Sequence, residues 1–180
     1  MALKPGVIFN WLFILLVAAA VGFMVFSFSQ PWWAAKLDTL EEASIYGWGF
    51  RHNLDAFMSG YVDGDVTPTW QVALAWVYVG ISGIVALLGA WIRKWWGALL
   101  VGLAGLGYIA YAYTALNVVI SDRLAEIGIA MEGRTMIREF IFVNSAIQPG
   151  HEMAYIAGGL LVALAVIKAV AAFFTRSKAQ

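Results

Sequence analysis

The chain has 180 residues, of which 62% are hydrophobic and 12% charged. A soluble domain carries about a quarter charged residues and under half apolar ones, and one small core cannot hide the surplus; a water-soluble monomer, a disordered chain and a free nucleic-acid binder are excluded. With no cysteine, disulfides, thiolate metal sites, iron–sulfur clusters and thiol catalysis are excluded too.

In chain order, the first predicted element is an uncharged run over residues 7–29. Roughly 20 apolar residues cross the hydrocarbon core of a bilayer as a helix, so this run is long enough to span. Ala18-Ala19-Ala20 resembles the cleavage site of a signal peptide, but the apolar run continues past it, which predicts a retained span. A first loop, residues 30–69, is both acidic and aromatic: it opens on Trp32 and Trp33 and carries Tyr46, Trp48, Phe50, Phe57 and Tyr61. Gly47 and Gly49 break any helix around Trp48, while residues 53–61 are a candidate short helix. Asp63-Gly64-Asp65 reads as a solvated turn, since the remaining ligands of a calcium loop are absent. Thr67-Pro68 supplies an N-cap and first helical position for a second span, residues 70–92.

Arg93 and Lys94 alone join that span to a third, residues 95–120, so the two are antiparallel neighbours. Ser121 is the candidate cap of an amphipathic helix with Leu124, Ile127 and Met131 on one stripe and Gly133 as its stop. Pro149-Gly150 turns the chain into a fourth span, residues 153–174, whose one charge is Lys168. Lys168 lies roughly 9 Å of helix from Phe174 and is expected to snorkel to the headgroups. None of the four runs alternates with period two. The expected fold is therefore an all-α integral membrane protein: one four-transmembrane-helix bundle over residues 1–180, with the loops 30–69 and 121–152 forming a small cap.

The charges are sorted. Lys4, Arg93, Lys94, Lys168, Arg176 and Lys178 carry one side without a single acid, while the two long loops hold all eleven acids and five cations. Positive-inside sorting places both termini in the cytoplasm and both loops outside, the multi-pass layout of a plasma (cytoplasmic) membrane protein embedded in a lipid bilayer. Trp32, Trp33 and Trp70 at one boundary, and Trp91, Trp95 and Trp96 at the other, read as membrane-interface residues. Small residues at every fourth position (Ser82, Ala86, Ala90; Ala98, Gly102; Ala154, Gly158) offer faces for close helix approach. Bound lipid is expected.

Chemistry is sparse. His52 and His151 both fall in the outer loops, and by converging they would hold haem or a metal; no H-x-x-x-H, H-E-x-x-H or C-x-x-C-H spacing accompanies them, so no metal site is predicted. A quinone needs only an apolar cleft and one or two polar groups, for which Tyr108 and Tyr111, with Asn117 and Tyr155, are candidates. There is no phosphate loop or nucleophile–base motif, and the spans lack the ionisable interior of a transporter. Catalysis by the chain itself is not expected.

Four spans, inside termini, a longer first outer loop and its tryptophan-rich entry (Trp32, Trp33) resemble the claudin-type tetraspan layout. The resemblance stops at layout: claudins carry a cysteine pair in that loop, within a tryptophan-leucine-tryptophan context, and this chain has no cysteine. Layout alone carries no function. The reading expected from the residues is a non-catalytic membrane subunit that docks other membrane-protein subunits, or copies of itself, through Trp48, Phe50, Phe57, Tyr61, Leu124, Ile127 and Met131, because exposed aromatic patches mark interfaces. Two alternatives stay open: a redox-complex anchor contributing a quinone or haem pocket, and a self-associating adhesion or lattice protein.

Overall fold

A computed structural model of the chain describes residues 5–37, 42–48, 51–52, 69–126, 128–138 and 141–177. In order, the elements are α1 (Pro5–Phe28), β1 (Pro31–Leu37), β2 (Glu42–Tyr46), β3 (Arg51–His52), α2 (Thr69–Trp91), α3 (Trp96–Thr114), a π-helical segment (Ala115–Ile120), α4 (Ser121–Glu126), β4 (Gly133–Arg138), β5 (Ile141–Ile147) and α5 (Pro149–Ser177). Four helical stretches, Gly6–Phe28, Val72–Trp91, Trp96–Ile120 and Pro149–Phe174, are long and apolar enough to cross a membrane. The chain is mostly helical, but the all-α expectation is corrected by a five-stranded antiparallel sheet of order β3-β2-β1-β5-β4.

By packing, the chain divides into two compact units. One comprises Met1–Val25, Tyr78–Ala110 and Tyr155–Gln180 and is helical; the other comprises Phe26–Val77 and Tyr111–Ala154 and contains the sheet.

In the helical unit, glycine sets how closely the backbones meet. A Cβ on Gly105 of α3 would stand 2.6 Å from the Gly158 carbonyl oxygen of α5, and one on Gly158 would stand 2.8 Å from the Gly105 oxygen. The same reciprocal fit joins Gly89 of α2 to Gly97 of α3, at 2.7 and 2.6 Å. Lipid is as apolar as leucine, so helices gain by pairing there only through tight contact, and small residues permit it. Ser82, Ala86, Ala90, Ala98 and Gly158 are all buried, with Phe13, Val17, Met24, Val79, Val101 and Leu161 filling the interior.

In the sheet unit, β1 is central: it pairs with β2 on one side and β5 on the other, so the two inter-helix segments share one ladder. Trp33, Ala35, Ala43, Ile45 and Val143 line one face of the sheet and form a core with Leu116, Ile120, Leu124 and Ile129. The helical members recur every fourth residue and so fall on one side of the π segment and α4. Two sequence expectations fail here. Ser121 has helical backbone angles (φ −57°, ψ −48°) and continues the helix without capping a new one. The helix also stops well before Gly133: Gly128, at φ +71°, ends it, with Gly128 N–H bonded to Ala125 O at 3.1 Å and Ile129 N–H to Leu124 O at 2.9 Å. That pair of bonds, with Leu124 and Ile129 sharing the core, is a Schellman closure. The candidate helix at 53–61, Asp63-Gly64-Asp65 and Thr67-Pro68 lie outside the described residues.

The close crossing gives a test. Gly158→Val should lower the thermal unfolding midpoint in mild detergent, by an overpacking cost of about 1–3 kcal/mol. Gly159→Val, whose Cβ meets nothing within 4 Å, should leave the midpoint unchanged.

Candidate functional site

The densest group of polar and aromatic side chains in the sheet unit centres on Trp32. Along a regular strand, neighbouring side chains point to opposite faces; here the β1–β2 register runs Pro31↔Tyr46 and then Trp33↔Ile45, which leaves Trp32 as the extra residue of a bulge. The bulge re-aims Trp32, so two consecutive tryptophans serve two different packing sites. Both are 0% exposed. Each ring is buried in protein, and each N–H is bonded there, Trp32 Nε1 to Ser27 O at 2.9 Å and Trp33 Nε1 to Met131 O at 2.9 Å. Ser27 lies in the last turn of α1, where carbonyls lack helical partners, so the Trp32 indole closes the end of that helix.

Around Trp32 stand Phe28, Tyr111 and His151, with ring centroids 6.4, 6.1 and 5.5 Å away. Phe28 in turn meets Trp76 edge-on at 4.9 Å, and Trp76 meets Trp48 at 5.8 Å. Two glycines admit the indole: a Cβ on Gly47 would fall inside the Trp32 ring, and one on Gly150 would strike the Pro31 carbonyl and come within 3.0 Å of Trp32 Cδ1.

Three of the candidate cofactor residues, Tyr108, Tyr111 and His151, bond main-chain carbonyls. Tyr111 Oη donates to Gly47 O at 2.8 Å, pinning the β2 turn. His151 is buried, and since a carbonyl only accepts, its Nε2 carries the proton shared with Ala112 O at 3.3 Å. Tyr108, in the helical unit, is 0% exposed and donates to Met24 O at 3.0 Å. His52 sits on β3 opposite Ser44; its side chain lies outside the described residues. Among the described residues no group of three His, Asp or Glu is placed to hold a metal ion.

Lys168, in the helical unit, departs from its expected role. It is 7% exposed, and instead of snorkelling it turns inward, its Nζ donating to Gly89 O and Ala90 O at 2.8 Å each and standing 4.9 Å from the Phe13 ring centre. These carbonyls end α2, at the negative pole of the helix dipole, where a cation is favoured and orphan acceptors need donors. Lys168 is thus a cap for α2 supplied by α5.

Of the candidate contact residues, Leu124 is buried in the sheet core and Met131 is half-buried against it, so neither is displayed; a helix ending at Gly128 cannot carry the stripe to Met131. Trp48 is half-buried, whereas Phe50, Phe57, Tyr61 and Ile127 lie outside the described residues. Trp70, Trp91, Trp95 and Trp96 are exposed. The sequence reading missed Met136 on β4, which is 62% exposed at the edge of the sheet; the run from Gly133 to Ile147, rich in isoleucine, valine, threonine and phenylalanine, was the available signal for strands there. Comparison with known proteins finds no matching family model, no similar curated protein and no similar solved structure.

Replacing Lys168 separates its two readings. Lys168→Met leaves two helix-end carbonyls without their donor, each worth about 1–3 kcal/mol when buried, and should lower thermal stability in detergent and lipid alike; a lysine that merely anchored to headgroups would show no loss in detergent.

Proposed function

We propose that the chain is a non-catalytic, multi-pass subunit of a cytoplasmic-membrane assembly, with termini inside and the loops 30–69 and 121–152 outside, which docks other membrane-protein subunits or further copies of itself. The orientation draws on charge. All eleven acids belong to the sheet unit, while the helical unit has six cations and no acid, a sorting that positive-inside insertion accounts for.

The observation that carries the docking role is the edge of the sheet. Strand β4 pairs with β5 on one side and has no strand beyond it among the described residues. Such an edge presents unpaired main-chain donors and acceptors, a template for another chain. Met136 is exposed on it, a flexible and polarisable side chain suited to adaptable contacts, and Arg134 beside it is exposed as well, its guanidinium 3.8 Å from the Phe142 ring centre. In keeping with this, the buried Tyr108, His151 and Lys168 and the half-buried Tyr111 each bond a backbone carbonyl, which fits a scaffold better than a reaction centre.

Extraction in gentle detergent followed by mass spectrometry should recover the chain in a complex, and a photo-crosslinking residue at position 136 should capture the neighbouring subunit. A lone monomer with no crosslink from position 136 would overturn the docking role. If Met136 is a contact, Met136→Lys should weaken partner recovery several-fold without changing the unfolding midpoint.

A further inference from the structure

The turn between α2 and α3 has two cations that the fold does not use. Three of its backbone N–H groups are bonded: Ile92 N–H to Leu88 O at 3.1 Å, Gly97 N–H to Lys94 O at 3.0 Å, and Ala98 N–H to Trp95 O at 2.9 Å. Of the acceptors at the end of α2, Gly89 O and Ala90 O are taken by Lys168. Arg93 and Lys94 are both exposed. The nearest acids in sequence are Asp65 and Asp122, 28 residues to either side, and both belong to the other unit. The helical unit itself contains no Asp or Glu side chain to neutralise them.

Around these cations lie rings that favour the boundary between headgroup and acyl chain. Trp91, Trp95 and Trp96 flank the turn and are exposed, and Trp11 of α1 meets Trp91 edge-on at 6.0 Å. Indole is apolar in body with one polar N–H, so it is stable at that depth and not deeper. Two unpaired cations at the same level meet phosphate, which a guanidinium binds in a bidentate fork and an ammonium as a point charge.

We propose that the α2–α3 turn is a binding surface for the headgroup of an anionic phospholipid, with Arg93 and Lys94 on the phosphate and acyl chains alongside Trp91, Trp95 and Trp96. This rests on the helices crossing a bilayer and on nothing about protein partners. A basic residue near an anionic bilayer surface contributes about fivefold in affinity, so the pair supplies about twenty-five-fold, weakening as salt rises.

The test is native mass spectrometry of the full chain from nanodiscs of equal phosphatidylglycerol and phosphatidylcholine. The wild-type chain should retain phosphatidylglycerol in large excess; the double variant R93Q/K94Q should lose that excess with unchanged circular dichroism, R93K/K94R should keep it, and R176Q/K178Q should keep most of it. Equal retention of the two lipids by wild type would overturn the proposal, as would an excess that survives R93Q/K94Q and vanishes in R176Q/K178Q. A chain that retains no lipid of either kind overturns it together with the membrane placement. A chain that enriches phosphatidylglycerol yet shows no crosslink from position 136 and no partner on extraction supports this surface while removing the docking role.

Discussion

Donation of a buried side-chain proton to a main-chain carbonyl is the interaction on which this structure depends. Trp32, Trp33, Tyr108, Tyr111, His151 and Lys168 all make it, to Ser27, Met131, Met24, Gly47, Ala112 and the Gly89–Ala90 pair respectively. The pattern has a cause. In a chain so poor in charge, few side-chain acceptors are at hand, while helix ends and turns leave carbonyls without partners. An unsatisfied group of either kind costs free energy away from water, so such a bond at a helix end or turn removes two liabilities at once. Ser27 ends α1, Gly89 and Ala90 end α2, and Gly47 follows β2, which are the places where the regular ladders stop.

These bonds form only because backbone and side chain can come close, and here glycine decides. Gly47 leaves room for the Trp32 ring, and Gly150 lets the first turn of α5 settle against Pro31 and the same indole. At Gly105–Gly158 and Gly89–Gly97 the close approach is between helices. Dispersion falls steeply with distance, so the absence of one methyl group at these crossings gives contact along the neighbouring turns. Within each unit the glycine contacts and the carbonyl bonds therefore reinforce one another: Gly89 both admits Gly97 and offers its oxygen to Lys168.

What was legible in the sequence follows the length scale of each signal. Four helical spans could be read because some twenty uncharged apolar residues leave no other way to satisfy a backbone in lipid, and α1, α2, and α3 taken with its π-helical continuation to Ile120 begin and end within two residues of the runs so identified; α5 starts four residues early, at Pro149, where a proline suits the first helical turn. The sheet was not legible. Its strands are two to seven residues long, and the central one, Pro-Trp-Trp-Ala-Ala-Lys-Leu, breaks the alternation that marks a strand because Trp32 is bulged. Consecutive tryptophans at the edge of an apolar run look like an interface belt whether they face lipid or protein; contacts mostly distant in sequence bury them, Trp33 in the sheet core and Trp32 among Phe28, Tyr111 and His151. Lys168 illustrates the same limit. Its position along the span allows its stem to reach either the headgroups or the end of α2, and the choice is made by a carbonyl pair on another helix.

Charge sorting then acquires a meaning beyond orientation. A buried ammonium ordinarily seeks a carboxylate, and the helical unit has no Asp or Glu side chain; the solution at Lys168 is a pair of carbonyls at a helix C-terminus, where aligned peptide dipoles present about half a negative charge. That pole is local and is spent on one cation. Arg93 and Lys94, a few residues further along, find neither a dipole end nor an acid of their own unit and remain exposed. An acid-free unit can therefore neutralise a cation internally only at a helix terminus, and every cation beyond that number must be matched by a charge that the unit does not contain.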